Sequence, residues 1–285
     1  MKKRQIAIFG ASGFLGRVLI RHFMSLGWNS IPYTRNPLTT IEGIKAVQWN
    51  PEDPKILSEK LRAIDIVINL CGKSVDCRYN RQNRERILSS RTIPARTIAE
   101  AINLCPTPPT TWINAASATI YETAFEDPQN EAEGTIGHGF SVKVYQAWEK
   151  AFFETPLTQT RRIALRTALV LGEGHNSVYP RLRTISRFGL GGTIGDGRQM
   201  VSWIHESDFA RSVQFLIENE ELDGLFNIAA PAAIRNREFM KTIRRQARMP
   251  IGLPTPKWLL EIGTFLLRTE SELALKAALS RLNAL

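Results

Sequence analysis

Cysteine and histidine are scarce in this chain of 285 residues, with three of the first and four of the second. Cys71, Cys77 and Cys105 are odd in number and match no zinc spacing, which excludes a disulfide framework and a structural zinc site. His22, His138 and His175 stand at no metal-ligand spacing with cysteines or carboxylates, so no metal is expected. Long apolar runs are missing as well. Trp258 to Leu267, the most apolar late stretch, is interrupted by Glu261 and is shorter than the ~20 residues that span a bilayer. Only Gln5 to Phe9 separate the basic Met1-Lys2-Lys3-Arg4 from a glycine motif, too few for a secretory leader. A reducing, cytoplasmic setting without a membrane partner is the expectation.

Acidic side chains are the minority: 27 Asp and Glu against 37 Lys and Arg, a formal charge of +10. Six arginines fall between Arg78 and Arg96, and a second group lies between Arg235 and Arg248. Solvated helix faces account for them most simply. The sharper reading is an anionic partner: a phosphorylated cofactor, an acidic substrate or nucleic acid. No zinc finger or interleaved aromatic stack accompanies the charge, so nucleic acid is the lesser reading.

What is present is an ordinary globular composition, 43% hydrophobic and 22% charged, in a chain long enough to bury roughly three quarters of its unfolded surface. Strand and helix patterns alternate. Gln5 to Phe9 reads as a buried parallel strand. Helical spacing follows from Phe14 through Val18, Leu19 and Phe23, with Gly27 as its C-terminal cap. Strands are expected at Ser30 to Thr34 (weakened by Pro32), Ala46 to Trp49, Ile64 to Leu70, Thr111 to Ala116, Arg162 to Arg166 and Leu225 to Ile228. Helices are expected at Arg81 to Leu104 with Pro94 inside, Phe140 to Phe153, Asp208 to Glu218, Arg237 to Arg248 and Trp258 to Leu282. The alternation predicts an α/β fold, a Rossmann-type doubly wound parallel sheet. Residues 1–172 form its dinucleotide-binding domain, with 203–230 returning to it; 173–202 and 231–285 form a smaller, mostly helical substrate lobe.

The first strand runs into Gly10-Ala11-Ser12-Gly13-Phe14-Leu15-Gly16. Gly10 permits a tight turn, Gly13 lets backbone approach a pyrophosphate, and Gly16 lets the helix pack on the strand. The amides opening the helix then face phosphate. The strand–glycines–helix context supports a dinucleotide site over a merely structural turn. At the end of the second strand, NAD binders place a carboxylate for the ribose. Here stand Thr34 and Arg35, and a guanidinium can hold a 2′-phosphate bidentately. NADP(H) is therefore predicted; the alternative is that Arg35 is an ordinary loop residue.

This glycine loop resembles that of extended short-chain dehydrogenases and sugar-nucleotide epimerases, and Asn69-Leu70-Cys71-Gly72 resembles the Asn-Leu-Ala-Gly after their fourth strand. Ile87-Leu88-Ser89-Ser90-Arg91, Trp148-Glu149, Leu165-Arg166-Thr167, Val170-Leu171-Gly172 and Ser202-Trp203-Ile204-His205 follow in order. Together they resemble the atypical epimerase-family subgroup, labelled cell-division-inhibitor-like. The resemblance implies NADP(H) binding, with Gly10, Ser12, Gly13, Phe14, Leu15 and Gly16 around the diphosphate and Thr34 and Arg35 at the adenosine phosphate. It implies Leu70, Cys71 and Gly72 along the ribose path, Arg91 reaching in from the long helix, and Val170 at the nicotinamide. Leu70, Cys71 and Val170 are equally acceptable as core residues. Relatives continue past the point where this chain stops, so the C-terminal lobe reads as shortened, or covered by another chain such as a homodimer partner.

The resemblance also raises the question of catalysis. Short-chain dehydrogenases move a proton with a tyrosine whose ionisation a lysine four residues on promotes. Ser117 stands where their serine stands, although a strand-end serine tied to local backbone is an equal reading. The tyrosine–lysine pair is missing: Tyr145 is followed by Glu149, and alignment on Trp148-Glu149 puts Ser141 at the tyrosine position. Glu149 beside Tyr145 is expected to disfavour tyrosinate. Tyr145 is thus retained beside Ser117 only as a candidate, with Tyr121 or Lys143 as substitutes. Trp203 and His205 are placed at the substrate pocket, with a structural role favoured for His205. Two functions remain open: an NADP(H)-dependent oxidoreductase or epimerase acting on an unidentified small molecule, and an NADP(H)-binding redox sensor or interaction protein.

Overall fold

The computed structural model describes residues 4–36, 39–123, 128–174 and 176–253. His175, the helix expected at Trp258 to Leu282 and the C-terminal end that the sequence reading took as shortened lie outside the described residues. In chain order the elements begin with β1 (Gln5–Phe9), α1 (Phe14–Ser25), β2 (Asn29–Thr34), the short β3 (Thr40–Ile41), β4 (Ile44–Lys45) and β5 (Val47–Gln48), α2 (Pro54–Leu61) and β6 (Ile66–Asn69). Next come α3 (Arg81–Leu104), β7 (Thr111–Ser117), α4 (Phe140–Phe153), β8 (Arg161–Thr167), β9 (Leu169–Leu171) and α5 (Val178–Arg187). The last are β10 (Met200–Val201), β11 (Trp203–His205), α6 (Glu206–Glu218), β12 (Gly224–Ile228), β13 (Ile234–Arg235) and α7 (Asn236–Gln246).

Seven strands form one sheet in the order β12-β8-β7-β6-β1-β2-β5. Every pairing in it is parallel. Alternation along β1 sorts the layers, because successive side chains leave a strand on opposite faces. Ile6 and Ile8 join Ile66, Ile68 and Ile163 under Val18, Leu19 and Phe23 of α1 and Phe209 and Val213 of α6. Ala7 and Phe9 face the other way, with Val67 and Trp112, onto Leu57 and Leu61 of α2, Ile98 and Ile102 of α3 and Phe152 of α4. A strand buried on both faces has no polar alternation, as the sequence of β1 indicates.

Local chemistry explains several boundaries. Gly27 takes φ +73° just past α1, a conformation that favours glycine after a helix. Pro32 sits inside β2 because β5 pairs only with Tyr33 and Thr34, leaving the edge beside Pro32 open on that side. α2, absent from the sequence expectations, starts with Asp53 accepting from the Ile56 amide at 3.0 Å and with Pro54 in the first turn. α3 runs unbroken across Pro94.

After β9 the chain leaves the sheet. β11 pairs with β9 in parallel and β10 with β13 antiparallel. Val201, Phe239, Met240 and Ile243 make a separate small core against Tyr179 and Leu182 of α5. The strand order reverses between β1 and β6, and in such sheets the ligand crevice lies outside the carboxyl ends at that switch. No helix among the described residues is long and apolar enough to cross a membrane.

Candidate functional site

The glycine loop occupies the switch point. Gly10 has φ +74°, and a β-carbon there would lie 2.7 Å from the Leu70 carbonyl carbon and oxygen. β1 and β6 therefore end in contact only because Gly10 has no side chain. A β-carbon on Gly16 would lie 2.6 Å from the Ala11 Cα, so Gly16 sets how closely α1 approaches β1. Gly13 differs: its β-carbon would meet only the Gly10 carbonyl oxygen, at 3.3 Å. No wall of protein demands a glycine at this position. Gly13 caps α1 without a side-chain hydrogen bond, and no acidic residue stands in the first turn. Ser12 is exposed, Leu15 is half-buried in the core, and Phe14 lies beneath Gly172 and Gly174, where a β-carbon would come within 2.8 and 2.6 Å of its ring.

At the end of β2, the Thr34 hydroxyl accepts from the Asn36 amide at 2.8 Å and donates to the Asn36 carbonyl at 3.0 Å. That turn leaves Arg35 exposed. Burial pushes the Cys71 thiol up to about 12, and Arg35 is near enough to oppose that rise. Asn69 orients the neighbouring loop: its Oδ1 accepts from the Cys71 amide at 3.1 Å and its Nδ2 donates to Asn114 Oδ1 at 2.7 Å. Leu70 and Val170 are half-buried against the core. Gly72 faces Arg91, whose Cζ would lie 3.1 Å from a β-carbon there.

Arg91 is only 7% exposed. It donates to the Ile87 carbonyl at 2.9 Å and stacks 5.2 Å from the Trp148 ring, but its buried Nε has no partner. Burial draws its pKa down, opposed by Tyr145 and Tyr79 nearby. No carboxylate bonds to it among the described residues; a buried cation left so is costly, and such groups are normally matched by an anion.

The hydroxyl candidates are mostly engaged. Ser117 donates to the Thr119 hydroxyl at 3.0 Å and accepts from the Thr119 amide at 3.2 Å, the local bonding that its alternative reading anticipates. Tyr145 is buried with Trp148 between α3 and α4. Glu149 is turned to Arg166, which grips it with two bonds of 2.8 Å. The same guanidinium donates to the Tyr121 hydroxyl at 2.7 Å, which donates to Asn227 Oδ1 at 3.0 Å. Burial pushes the Tyr121 phenol up, against the pull of Arg166. With its hydroxyl committed in both directions, Tyr121 is a structural tie and no free acid. Lys143 is exposed on α4. His205 caps α6, its Nδ1 accepting from the Ser207 amide at 3.2 Å, and Trp203 Nε1 donates to the Ala232 carbonyl at 3.1 Å. The buried Tyr121–Arg166–Glu149 network escaped the sequence reading, where an arginine directly after the apolar run Ile163 to Leu165 was its one signal.

Comparison with known proteins places this site in a family. The NAD dependent epimerase/dehydratase family matches residues 6–229. Epimerase family protein YfhF of Bacillus subtilis (strain 168) is 33% identical over 256 residues, covering 90% of this chain and 84% of the relative. The crystal structure of human epimerase family protein SDR39U1 with NADPH is 24% identical, with a TM-score of 0.84 over 97% of this chain and 90% of that one. The UDP-glucose 4-epimerase of Thermus thermophilus, in complex with NAD, is 14% identical with a TM-score of 0.70, over 88% of this chain and 86% of that one. By the extent of the match and by the glycine loop at the switch of its sheet, the chain belongs to the NAD dependent epimerase/dehydratase family.

Proposed function

We propose that the protein binds NADP(H) across the carboxyl ends of β1, β2 and β6 and works as an oxidoreductase or epimerase-like enzyme on a small molecule. The observation that carries the reading is Gly13, a glycine that no protein contact requires, at the uncapped and acid-free start of α1. Backbone amides in that setting suit a diphosphate. Arg35 stands where a carboxylate would favour an unphosphorylated ribose, and its exposed guanidinium suits a 2′-phosphate. Arg91, buried and with no carboxylate bound to it among the described residues, has its Nε free to donate to an anionic or hydroxyl oxygen beside Gly72. The human relative SDR39U1 was solved with NADPH, which agrees with this choice.

When bound, the nicotinamide supplies or accepts hydride. The chain's own residues hold and shield it: Leu70, Cys71 and Val170 form the apolar wall, and the Asn69–Asn114 pair fixes the loop that carries Cys71. Ser117 is the hydroxyl we assign to a substrate oxygen once its bond to Thr119 is exchanged, with Tyr145 the candidate phenol. A second reading, an NADP(H)-binding sensor or interaction protein without turnover, is favoured by the committed hydroxyls of Ser117 and Tyr121.

Calorimetric titration tests the reading. NADPH is expected to bind more tightly than NADH, and Arg35→Asp is expected to weaken NADPH by about 10–100-fold, the range for a hydrogen bond to a charged group. No heat with NADPH or NADP⁺ removes the proposal. Cofactor that binds but stays inert to a broad panel of carbonyl compounds favours the sensor.

A further inference from the structure

The starts of α3 and α4 lie side by side at the ligand end of the sheet, and between them is a cavity of about 640 Å³. That volume is in the range of small-molecule sites. Its described lining has two characters. Arg84 and Lys143 give it positive charge, His138 adds an imidazole to its rim, and none of the described residues lining it carries a carboxylate. Ile136, Phe140 and Val142 give it an apolar floor.

The site is built, beyond being basic. Arg84 is held by two contacts: its Nε donates to the Tyr79 carbonyl at 2.7 Å, and its guanidinium carbon lies 4.8 Å from the centre of the Phe140 ring. Phe140 is in turn packed edge-on against Tyr79, with ring centres 5.0 Å apart. This fixes the guanidinium at the cavity without a carboxylate partner among the described residues. α4 contributes its start: Gly139 caps it without a side chain, and no acid occupies its first turn. The start of α4 and the two cationic side chains Arg84 and Lys143 therefore face one space.

We infer that this cavity binds a small anionic molecule with an apolar body, its phosphate or carboxylate held by Arg84, Lys143 and the α4 amides and its body resting on Ile136, Phe140 and Val142. None of these residues belongs to the dinucleotide crevice. The inference therefore stands apart from the cofactor reading, and failure of either leaves the other intact.

The test uses the full chain with phenyl phosphate, benzoate and, as a neutral comparison, phenol, followed by calorimetry and by the amide resonances of Gly137, Gly139 and Phe140. At least one of the two anions is expected to bind at one site, at least tenfold more tightly than phenol; the better of them tells phosphate from carboxylate. Arg84→Met and Lys143→Met are each expected to weaken it by roughly tenfold, the scale of one charge-assisted bond. Lys143 is exposed, so its variant should keep the parent melting temperature, while Arg84→Met gives up the bond to the Tyr79 carbonyl and is compared with the parent well below its own melting point. Phenol binding as tightly as the anions overturns the inference. So does a double variant that retains affinity within twofold, or displacement by NADPH with the shifts moving to Gly10 to Gly16, which would put the anion in the diphosphate loop.

Discussion

Three glycines of one loop carry three different constraints, and substitution separates them. Gly10→Ala forces a side chain into a positive φ and into the Leu70 backbone at 2.7 Å. Strain of that kind costs about 1–3 kcal/mol, and a crowded core adds a similar amount. The melting temperature should fall by several degrees. Gly13→Ala meets only one carbonyl oxygen at 3.3 Å, so melting should change little while NADPH affinity drops tenfold or more. Thermal melts beside cofactor titrations decide the matter. Equal melting losses in both variants would mean that Gly13 serves the fold and has no ligand to approach. The loop was legible in the sequence because its parts are contiguous. Arg35 was legible for the same reason, one residue past a strand end. Arg91 was reached only by resemblance, since nothing local marks a helix arginine as buried.

At the level of elements, β8 and α4 are joined by Arg166 and Glu149, whose side chains are 6% and 12% exposed. Arg166→Met leaves a buried carboxylate without its cation and a Tyr121 hydroxyl without its donor. The expected loss is about 3–5 kcal/mol, as for breaking a buried pair from one side, read from denaturant unfolding. Glu149→Gln should cost less if its amide keeps one bond to Arg166. A loss below about 1 kcal/mol for Arg166→Met would show that the pair is solvated in solution. This network was illegible beforehand because its members come from α4, β8 and the turn after β7. Only the pairing of Ala116 with Arg166 in the sheet brings them together. α2 was missed for a different reason. Its apolar face is short, although Asp53-Pro54 is a sound start signal. The regular long helices α3 and α4 were read to their ends because many turns repeat one period.

For the whole molecule, alkaline pH is the informative axis. Burial pushes the Cys71 thiol and the Tyr33 phenol each up to about 12. An unfolded chain releases those protons first, from roughly pH 8.5 and 10 respectively. Above those values the native state binds more protons than the unfolded one, so stability must decline as pH rises toward 12. The slope approaches ~1.4 kcal/mol per pH unit for each group. Urea midpoints at pH 7, 9 and 10 should show the decline, and Cys71→Ala should flatten its first part. An unchanged slope in that variant would mean that the thiol ionises as freely in the folded protein as in the unfolded one. The overall architecture was legible from alternation, and α7 from its helical spacing, whereas α5, β10 and β13 were not, since two-residue strands carry no period.

The excess of basic residues also has a mechanical side. Arg161 donates to the carbonyls of Leu216, Asn219 and Leu222 at the end of α6, and Arg162 to those of Phe152, Phe153 and Thr155 at the end of α4. Neighbours in one strand, they point to opposite sides and rivet one helix of each layer to the same edge of the sheet. A one-residue slip of β8 would swap the two guanidiniums between layers and undo both rivets together. The dipeptide thus works as a proofreading device for strand alignment, operated from the helices outside the sheet.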